Sequence, residues 1–435
     1  MKFFSRRPNF FQTALLTGAV VTATALHLPG TKAQATFQDS PKVVVDEAWQ
    51  IVNRDYVDGS FNKVDWLMVR QRLLSVNYNS REEAYSAIRE ALEKLGDPYT
   101  RFMDPKQYQS LTNQTRGELS GIGIRLELNE QTRMLTVVEP IDNSPASKAG
   151  IRTGDRILMI ENRPTQGMTV EEASSLIRGE VGTKLNLRLL REGAGEINLT
   201  LTRAQIELPT VSFSIRQEGQ EKIGYIRLSE FSSHAADQMR RAINELQNQK
   251  VDAFVLDLRG NPGGLLQASI EISRMWVDTG SIVRTVDRRG RNEEMKANRT
   301  ALTNLPLVVL VDGNSASSSE ILTGALKDNG RAMVVGSQTF GKALVQSVHP
   351  LSDGSGLAVT IAHYYTPKGT DISKKGITPD VTIDLTDAQR QVLVTNPKLI
   401  GTREDPQYAR AVTVLQTTAL TRPNFNQSAR QSNTN

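Results

Sequence analysis

The second half of the chain alternates short apolar segments with amphipathic ones, and this alternation constrains the fold most. The apolar segments have the length of buried strands and cover residues 223–228, 253–258, 307–311 and 333–335. The amphipathic segments have helical periodicity and cover residues 235–247, 266–277 and 318–327. Such an order predicts an α/β core over residues 204–386, with a mixed, largely parallel sheet and crossover helices.

Two regions with different patterns precede this core. Residues 36–110 have helical periodicity, which predicts a small N-terminal helical region. Residues 116–203 contain short strands interrupted by two helical pieces, which predicts an inserted β-rich module. From residue 387 the sequence turns polar, so we expect residues 387–435 to form a polar C-terminal tail that is partly disordered.

Residues 1–35 have the features of a secretory signal peptide. Four basic and no acidic residues accompany an apolar run over residues 10–28 and the small-residue triplet Ala33-Gln34-Ala35. We expect export across a membrane, into a periplasm or a thylakoid lumen, with cleavage after Ala35. A retained membrane anchor is the alternative, and Arg6-Arg7 leaves Sec and twin-arginine export both open. The segment carries four of the chain's net five positive charges, so a nucleic-acid partner is not expected.

The residue inventory excludes several catalytic chemistries. The 435 residues contain no cysteine, which rules out disulfides and a cysteine nucleophile. The four histidines have no metal-binding spacing, and neither His-Glu-x-x-His nor Gly-x-Ser-x-Gly occurs. A zinc peptidase and an ordinary serine hydrolase are therefore not expected.

Ser317 lies where the strand at 307–311 gives way to the helix at 318–327. With Glu320 it forms a Ser-x-x-Glu capping box, and on local sequence alone this structural interpretation is the stronger one. A serine at such a turn also projects into a cleft, where the first helical amides can stabilise an oxyanion.

A glycine-rich segment over residues 336–342 offers a competing interpretation. Its Gly-(four residues)-Gly-Lys spacing, ending at Lys342, fits a phosphate-binding loop. However, Ala343 replaces the hydroxyl that would bind magnesium, and the residues that follow are extended rather than helical. Nucleotide binding therefore remains only a minor alternative.

Residues 116–203 resemble a PDZ domain. Gly121, Ile122, Gly123 and Ile124 match the loop that holds a ligand's terminal carboxylate, and residues 150–158 match the central turn and strand. Successive backbone amides in such a loop can converge on an anion, while a neighbouring strand edge pairs with a peptide.

Taken together, the PDZ-like module, Ser317, Lys342 and the loop over residues 257–264 resemble the carboxyl-terminal processing protease family. The resemblance covers residues 40–385 and includes the segments at 97–102 and 375–380. It implies that Ser317 is the nucleophile, Lys342 the general base and Gln346 the residue that orients the lysine. The implied oxyanion donors are Gly263 and the amide of Ser318.

The resemblance implies an exported serine endopeptidase with a Ser-Lys dyad, which needs no metal and no organic cofactor. It would capture protein substrates by their free C-termini and cleave near the C-terminus of exported or membrane-attached proteins, meeting a membrane only through them. Several segments are similar to the branch that processes a photosystem II reaction-centre precursor. The alternative is a non-catalytic PDZ scaffold with a decayed core; the oligomeric state is left open.

Three features of the predicted site depend on local geometry. Ser318 and Ala343 stand where the family usually has Ala and Gly, and Ala343 would be strained at positive φ. In a regular strand Lys342 and Gln346 would lie about 13 Å apart, so they meet only if the strand starts late. A lysine base also needs a dry pocket, which the apolar residues Phe340, Leu344 and Val345 could provide.

Overall fold

The computed structural model describes residues 40–129 and 131–421. The predicted signal peptide and residues 422–435 lie outside the described residues. Within the described ranges, no helix combines the length and the apolarity that crossing a bilayer requires.

The N-terminal region is helical, as predicted. Its helices are α1 (Pro41–Asp55), α2 (Trp66–Ser75), α3 (Arg81–Glu93) and α4 (Pro105–Arg116), with a short 3-10 turn at Phe61–Lys63. Capping residues explain two of these boundaries: the Ser80 side chain accepts the Glu83 amide before α3, and the backbone of Gly117, at φ +67°, ends α4. The buried faces of α1 and α3 pack together against Leu357 and Val359 of the core.

The central sheet of the core has six strands in the order β10-β11-β12-β15-β16-β19. These strands are β10 (Val211–Glu218), β11 (Glu221–Leu228), β12 (Ala253–Asp257), β15 (Leu307–Val311), β16 (Met333–Gly336) and β19 (Val381–Thr382). All neighbours are parallel except β10 and β11, which confirms the mixed, largely parallel sheet. The crossover helices are α7 (Ala235–Asn248), α8 (Leu266–Trp276) and α9 (Ser318–Asp328).

A second, antiparallel sheet lies beside the first and was not predicted. It orders β1-β18-β13-β14, with β17 also paired to β18. Its strands are β1 (Arg101–Met103), β13 (Ser281–Asp287), β14 (Asn292–Lys296), β17 (Leu344–Pro350) and β18 (Gly356–Tyr365). Because β18 pairs with β1, β13 and β17, it joins the N-terminal region to the segment that follows Lys342.

The chain after residue 386 differs from the expected polar tail. It forms α10 (Asp387–Thr395), a 3-10 turn (Pro397–Leu399) and α11 (Pro406–Thr421). Tyr408, Ala411 and Val412 of α11 are fully buried against the central sheet. The prediction of a polar tail is therefore wrong for this segment, because Tyr408, Ala411, Val412 and Leu415 recur at helical spacing and bury one face of α11.

The inserted β-rich module contains a five-strand path in the order β3-β4-β5-β7-β8, with β6 paired to β5. The elements are β3 (Ile124–Leu128), β4 (Leu135–Pro140), α5 (Pro145–Lys148), β5 (Arg156–Ile160), β6 (Arg163–Pro164), α6 (Val170–Ile177), β7 (Lys184–Arg191) and β8 (Gly195–Thr202). A separate two-stranded ladder of β2 (Glu118–Gly121) and β9 (Ala204–Glu207) connects the module to the core. The edge strand β3 lies beside α6.

Candidate active site

Ser317 has a strained backbone at the start of α9. Its φ and ψ are +55° and −114°, a conformation that costs a non-glycine residue about 1–3 kcal/mol. The loop after β12 packs directly on it, since a Cβ built on Gly263 would lie 2.9 Å from the Ser317 Cβ. Strain held in place by close packing is typical of a functional turn rather than of a simple helix cap.

Glu320 connects the Ser317 segment to the Lys342 segment. It accepts the Ser317 amide at 2.9 Å, as expected for a capping box. It also accepts the amides of Gly341 (2.7 Å) and Lys342 (2.9 Å) and the hydroxyl of Thr339 (2.6 Å). Burial raises the pKa of Glu320, and these hydrogen bonds oppose that rise. Sequence reasoning missed this connection, although the Ser-x-x-Glu spacing marked the residue.

The Lys342 side chain is partly buried and contacts an aromatic ring. Its Nζ lies 4.5 Å from the centroid of the Tyr99 ring, a cation–π distance. Burial lowers the pKa of Lys342, and the nearby Arg101 charge lowers it further, against the opposing charges of Asp97 and Glu320. The expectation for Phe340 is wrong, since its side chain is 55% exposed.

The side chains of Lys342 and Ser317 are not hydrogen-bonded to each other in the structure. Among the described residues, Lys342 Nζ has no hydrogen-bond partner and contacts the Tyr99 ring instead. The two residues are therefore brought together through their backbones, by Glu320. Catalytic hydrogen bonds are often loose without substrate and tighten in the complex.

Gln346 lies on β17, which starts at Leu344, so the condition of a late strand start is met. The pairing with β18 also shifts register between Val345 and Gln346. The Nε2 atom of Gln346 is buried and has no hydrogen-bond partner in the described part of the chain. The predicted contact with Lys342 is thus not made in this arrangement.

The two predicted oxyanion donors differ in availability. The Ser318 amide, in the first turn of α9, donates to no described acceptor. The Gly263 amide donates to Asn261 Oδ1 at 2.9 Å. It must break this hydrogen bond before it can donate to an oxyanion. The extra hydroxyl of Ser318 donates to the Gly264 carbonyl at 3.0 Å and so steadies the same loop. Ala343 does not have a positive φ, so the backbone strain considered for this residue does not arise.

The structure contradicts the phosphate-loop alternative. The amides of Gly341 and Lys342, which would cradle a phosphate, donate instead to the Glu320 carboxylate. A strand, β17, follows the segment where a nucleotide site needs a helix N-terminus. An anion would have to displace a buried carboxylate.

The loop of the inserted module exposes free amides next to an edge strand. Neither Ile122 nor Gly123, which lie between β2 and β3, donates its amide to a described acceptor. Gly123 has φ +77°, and a Cβ there would lie 2.3 Å from the Ser144 Cβ. Gly121 ends β2 and Ile124 begins β3, so residues 122 and 123 form the connection between the two strands. The Ile122 side chain is fully buried, leaving only its backbone for a ligand.

Comparison with known proteins identifies the family. Residues 222–383 match peptidase family S41, and residues 136–191 match the PDZ domain. The chain is 42% identical over 406 residues to a carboxyl-terminal-processing protease of Synechocystis sp. (strain ATCC 27184 / PCC 6803 / Kazusa), covering 92% of each chain. The chain belongs to peptidase family S41.

Other S41 relatives extend this result. Carboxyl-terminal-processing peptidase 2, chloroplastic, of Arabidopsis thaliana is 41% identical over 77% of this chain and 67% of its own. A solved structure of the photosystem II D1 C-terminal processing protease is 36% identical with a TM-score of 0.54, over 85% of this chain and 99% of its own. The chain is thus a serine-type, carboxyl-terminal-processing S41 peptidase that acts on protein substrates and carries a PDZ domain, rather than a non-catalytic scaffold.

The described part of this S41 peptidase contains no cluster of three or more His, Asp or Glu side chains able to hold a metal ion.

Proposed function

We propose that Ser317 and Lys342 form the catalytic dyad of this peptidase. The observation that carries the proposal is the double link through Glu320, which accepts the amides of both residues. Neutral Lys342 takes the hydroxyl proton as Ser317 Oγ attacks the scissile carbonyl, and returns it to the leaving amine. Water then cleaves the acyl-enzyme, again with Lys342 as the base.

We assign supporting roles to the residues around the dyad. The free Ser318 amide is ready to bind the oxyanion, and Gly263 joins it when its amide leaves Asn261. Gln346 is proposed to orient Lys342, and its partnerless buried amide nitrogen supports a group that gains a partner as the site closes. In this proposal the nucleophile acts between one base and two oxyanion donors.

The pH profile should report the base. Because Lys342 must be neutral to accept a proton, kcat/KM should rise with pH through its pKa, which burial lowers below the usual value of about 10.4. Arg101→Gln removes a positive charge that lowers the pKa of Lys342, so the rising limb of the pH profile of kcat/KM should move to higher pH. Arg89→Gln, at another partly exposed arginine of the N-terminal region, should leave it unchanged. A limb at the ordinary lysine pKa that neither variant moves would contradict the assignment.

We propose that the PDZ domain captures the free C-terminus of the substrate. The unengaged amides of Ile122 and Gly123 would bind the carboxylate, with Gly121 and Ile124 framing the loop. The substrate main chain would then pair with the outer edge of β3, beside α6. The pair of unengaged amides and the neighbouring strand edge support this proposal.

Capture of a free C-terminus predicts faster cleavage of acids than of amides. A peptide ending in a small or apolar residue with a free carboxylate should have a higher kcat/KM than its amidated form, since only the carboxylate engages the loop. Mass spectrometry of the products measures both rates and locates the cleavage site. Gly123→Ala should erase the acid preference, whereas Gly150→Ala, also at positive φ but with no atom near its Cβ, should keep it. Equal rates for acid and amide in the unmodified enzyme would refute the capture model.

We further propose export, with signal cleavage after Ala35, to a periplasm or thylakoid lumen. Residues 36–110, 116–203 and 204–386 are proposed as the helical, PDZ and protease modules. The D1-processing relative supports a substrate that carries a C-terminal extension and belongs to photosystem II.

A further inference from the structure

The phenol of Tyr364 is the second group that contacts the backbones of both dyad residues. Tyr364 lies on β18 and is 1% exposed, with its ring packed in the cluster that contains Ile321 and Ala343. Its hydroxyl lies 3.1 Å from the Ser317 carbonyl oxygen and is also hydrogen-bonded to the carbonyl oxygen of Lys342. One proton is thus shared between two acceptors on segments 25 residues apart in sequence.

Tyr364 and Glu320 act on complementary groups. Glu320 accepts the amides of Ser317 and Lys342, and Tyr364 donates to the carbonyls of the same two residues. Both backbone polar groups of each dyad residue are therefore held by this pair of buried side chains. Burial, together with the nearby Glu320 charge, raises the pKa of Tyr364, so its phenol remains a donor at working pH.

The two carbonyls depend on the phenol to different extents. The Ser317 carbonyl also accepts the amides of Glu320 (2.8 Å) and Ile321 (3.0 Å), so it keeps partners without Tyr364. The Lys342 carbonyl has no other donor among the described residues. Loss of the phenol would leave that oxygen unsatisfied and the Lys342 backbone held only on its amide side, by Glu320, while the serine stays in place.

We propose that Tyr364 is a positioning residue that holds the backbone of Lys342 against that of Ser317 and so sets where the lysine side chain can reach. The proposal rests on the Ser317–Lys342 dyad proposed above. A residue that served only core packing would need its ring and not its hydroxyl.

Tyr364→Phe tests the hydroxyl alone. We expect kcat per active site, counted by titration with a fluorophosphonate, to fall about 10- to 100-fold with little change in KM, because a small displacement of a catalytic group costs that much. The limb of the pH profile should also move to higher pH as the lysine regains contact with water. Tyr85→Phe is the matched control: it removes a buried phenol that donates to Asp353 at 2.5 Å instead of to Ser317 or Lys342, and should leave kcat and the rise of activity with pH unchanged.

Two further replacements separate positioning from folding. At position 364, p-aminophenylalanine keeps a donor and should restore most of kcat, whereas p-methylphenylalanine fills the same space without one and should not. Equal kcat for this pair, or a normal kcat per titrated site in Tyr364→Phe, would overturn the proposal. If Ser317→Ala or Lys342→Ala were active, the dyad itself would be wrong, so the two failures are distinguishable.

Discussion

Replacing Ser317 or Lys342 with alanine is expected to lower kcat/KM by roughly 10⁴- to 10⁶-fold, because residues that act as one unit are lost as one unit. The Ser317→Ala/Lys342→Ala double variant should be no slower than either single variant. Lys342→Arg should fail as well, since arginine does not deprotonate at working pH. Product formation from a C-terminally tailed substrate, followed by mass spectrometry, measures all four variants.

This experiment has two controls: a test that each variant folds, and a variant that removes a neighbouring hydroxyl. Circular dichroism should show unchanged secondary structure in each variant. Ser318→Ala removes a hydroxyl that donates to the Gly264 carbonyl but keeps the proposed oxyanion amide, so it should retain most activity. A folded Lys342→Ala enzyme with near-normal turnover would require another base.

The largest effect on stability is expected at Arg259. Its guanidinium is 8% exposed and is paired with two fully buried carboxylates, Asp257 at 2.6 Å and Asp405 at 2.7 Å. It also donates to Gln407 at 3.0 Å. Arg259→Met should lower the free energy of unfolding by about 3–5 kcal/mol, because both carboxylates lose their buried partner. Urea unfolding followed by circular dichroism measures this change.

Arg390→Met provides the matched control. Arg390 pairs with Asp387 on the surface, where both side chains are more than half exposed. Such pairs contribute about 0–1 kcal/mol, so this variant should unfold close to the unmodified protein. Equal stabilities of the Arg259 and Arg390 variants would show that the buried network does not hold the C-terminal segment to the core.

Local patterns were enough to predict the parallel part of the core. The strand at Leu307–Val311 is five buried residues, and the helix after it begins with a recognisable Ser-x-x-Glu. Both signals are contained within a few neighbouring residues. Prediction therefore succeeded where hydrophobic period and helix caps decide the structure.

The antiparallel sheet and the burial of Asp405 depend on distant contacts instead. Strand β14 is mostly exposed and charged, and only its pairing with β13 shows that it is a strand. The buried Asp405 is satisfied by Arg259, 146 residues earlier in the chain. No local pattern reveals this partner of Asp405. The helical spacing of Tyr408, Ala411, Val412 and Leu415, in contrast, was a local signal for α11 that the prediction missed.

The same reason explains what was predictable about the site. Ser317, Lys342 and Gly263 were recognisable from motifs, but the groups that hold them were not. The Tyr99 ring contacts Lys342 from the N-terminal region, and the Tyr364 hydroxyl contacts the backbones of the two proposed dyad residues from β18. These contacts are fixed by the pairing of β18 with three other strands.

Covalent labelling tests the central assignment most directly. The protein is treated with a fluorophosphonate, digested, and mapped by mass spectrometry to find the modified residue. We predict a single adduct on Ser317, formed far more slowly in Lys342→Ala because the hydroxyl then lacks its base. An adduct on another residue, or a rate of Ser317 labelling that does not depend on Lys342, would contradict the dyad.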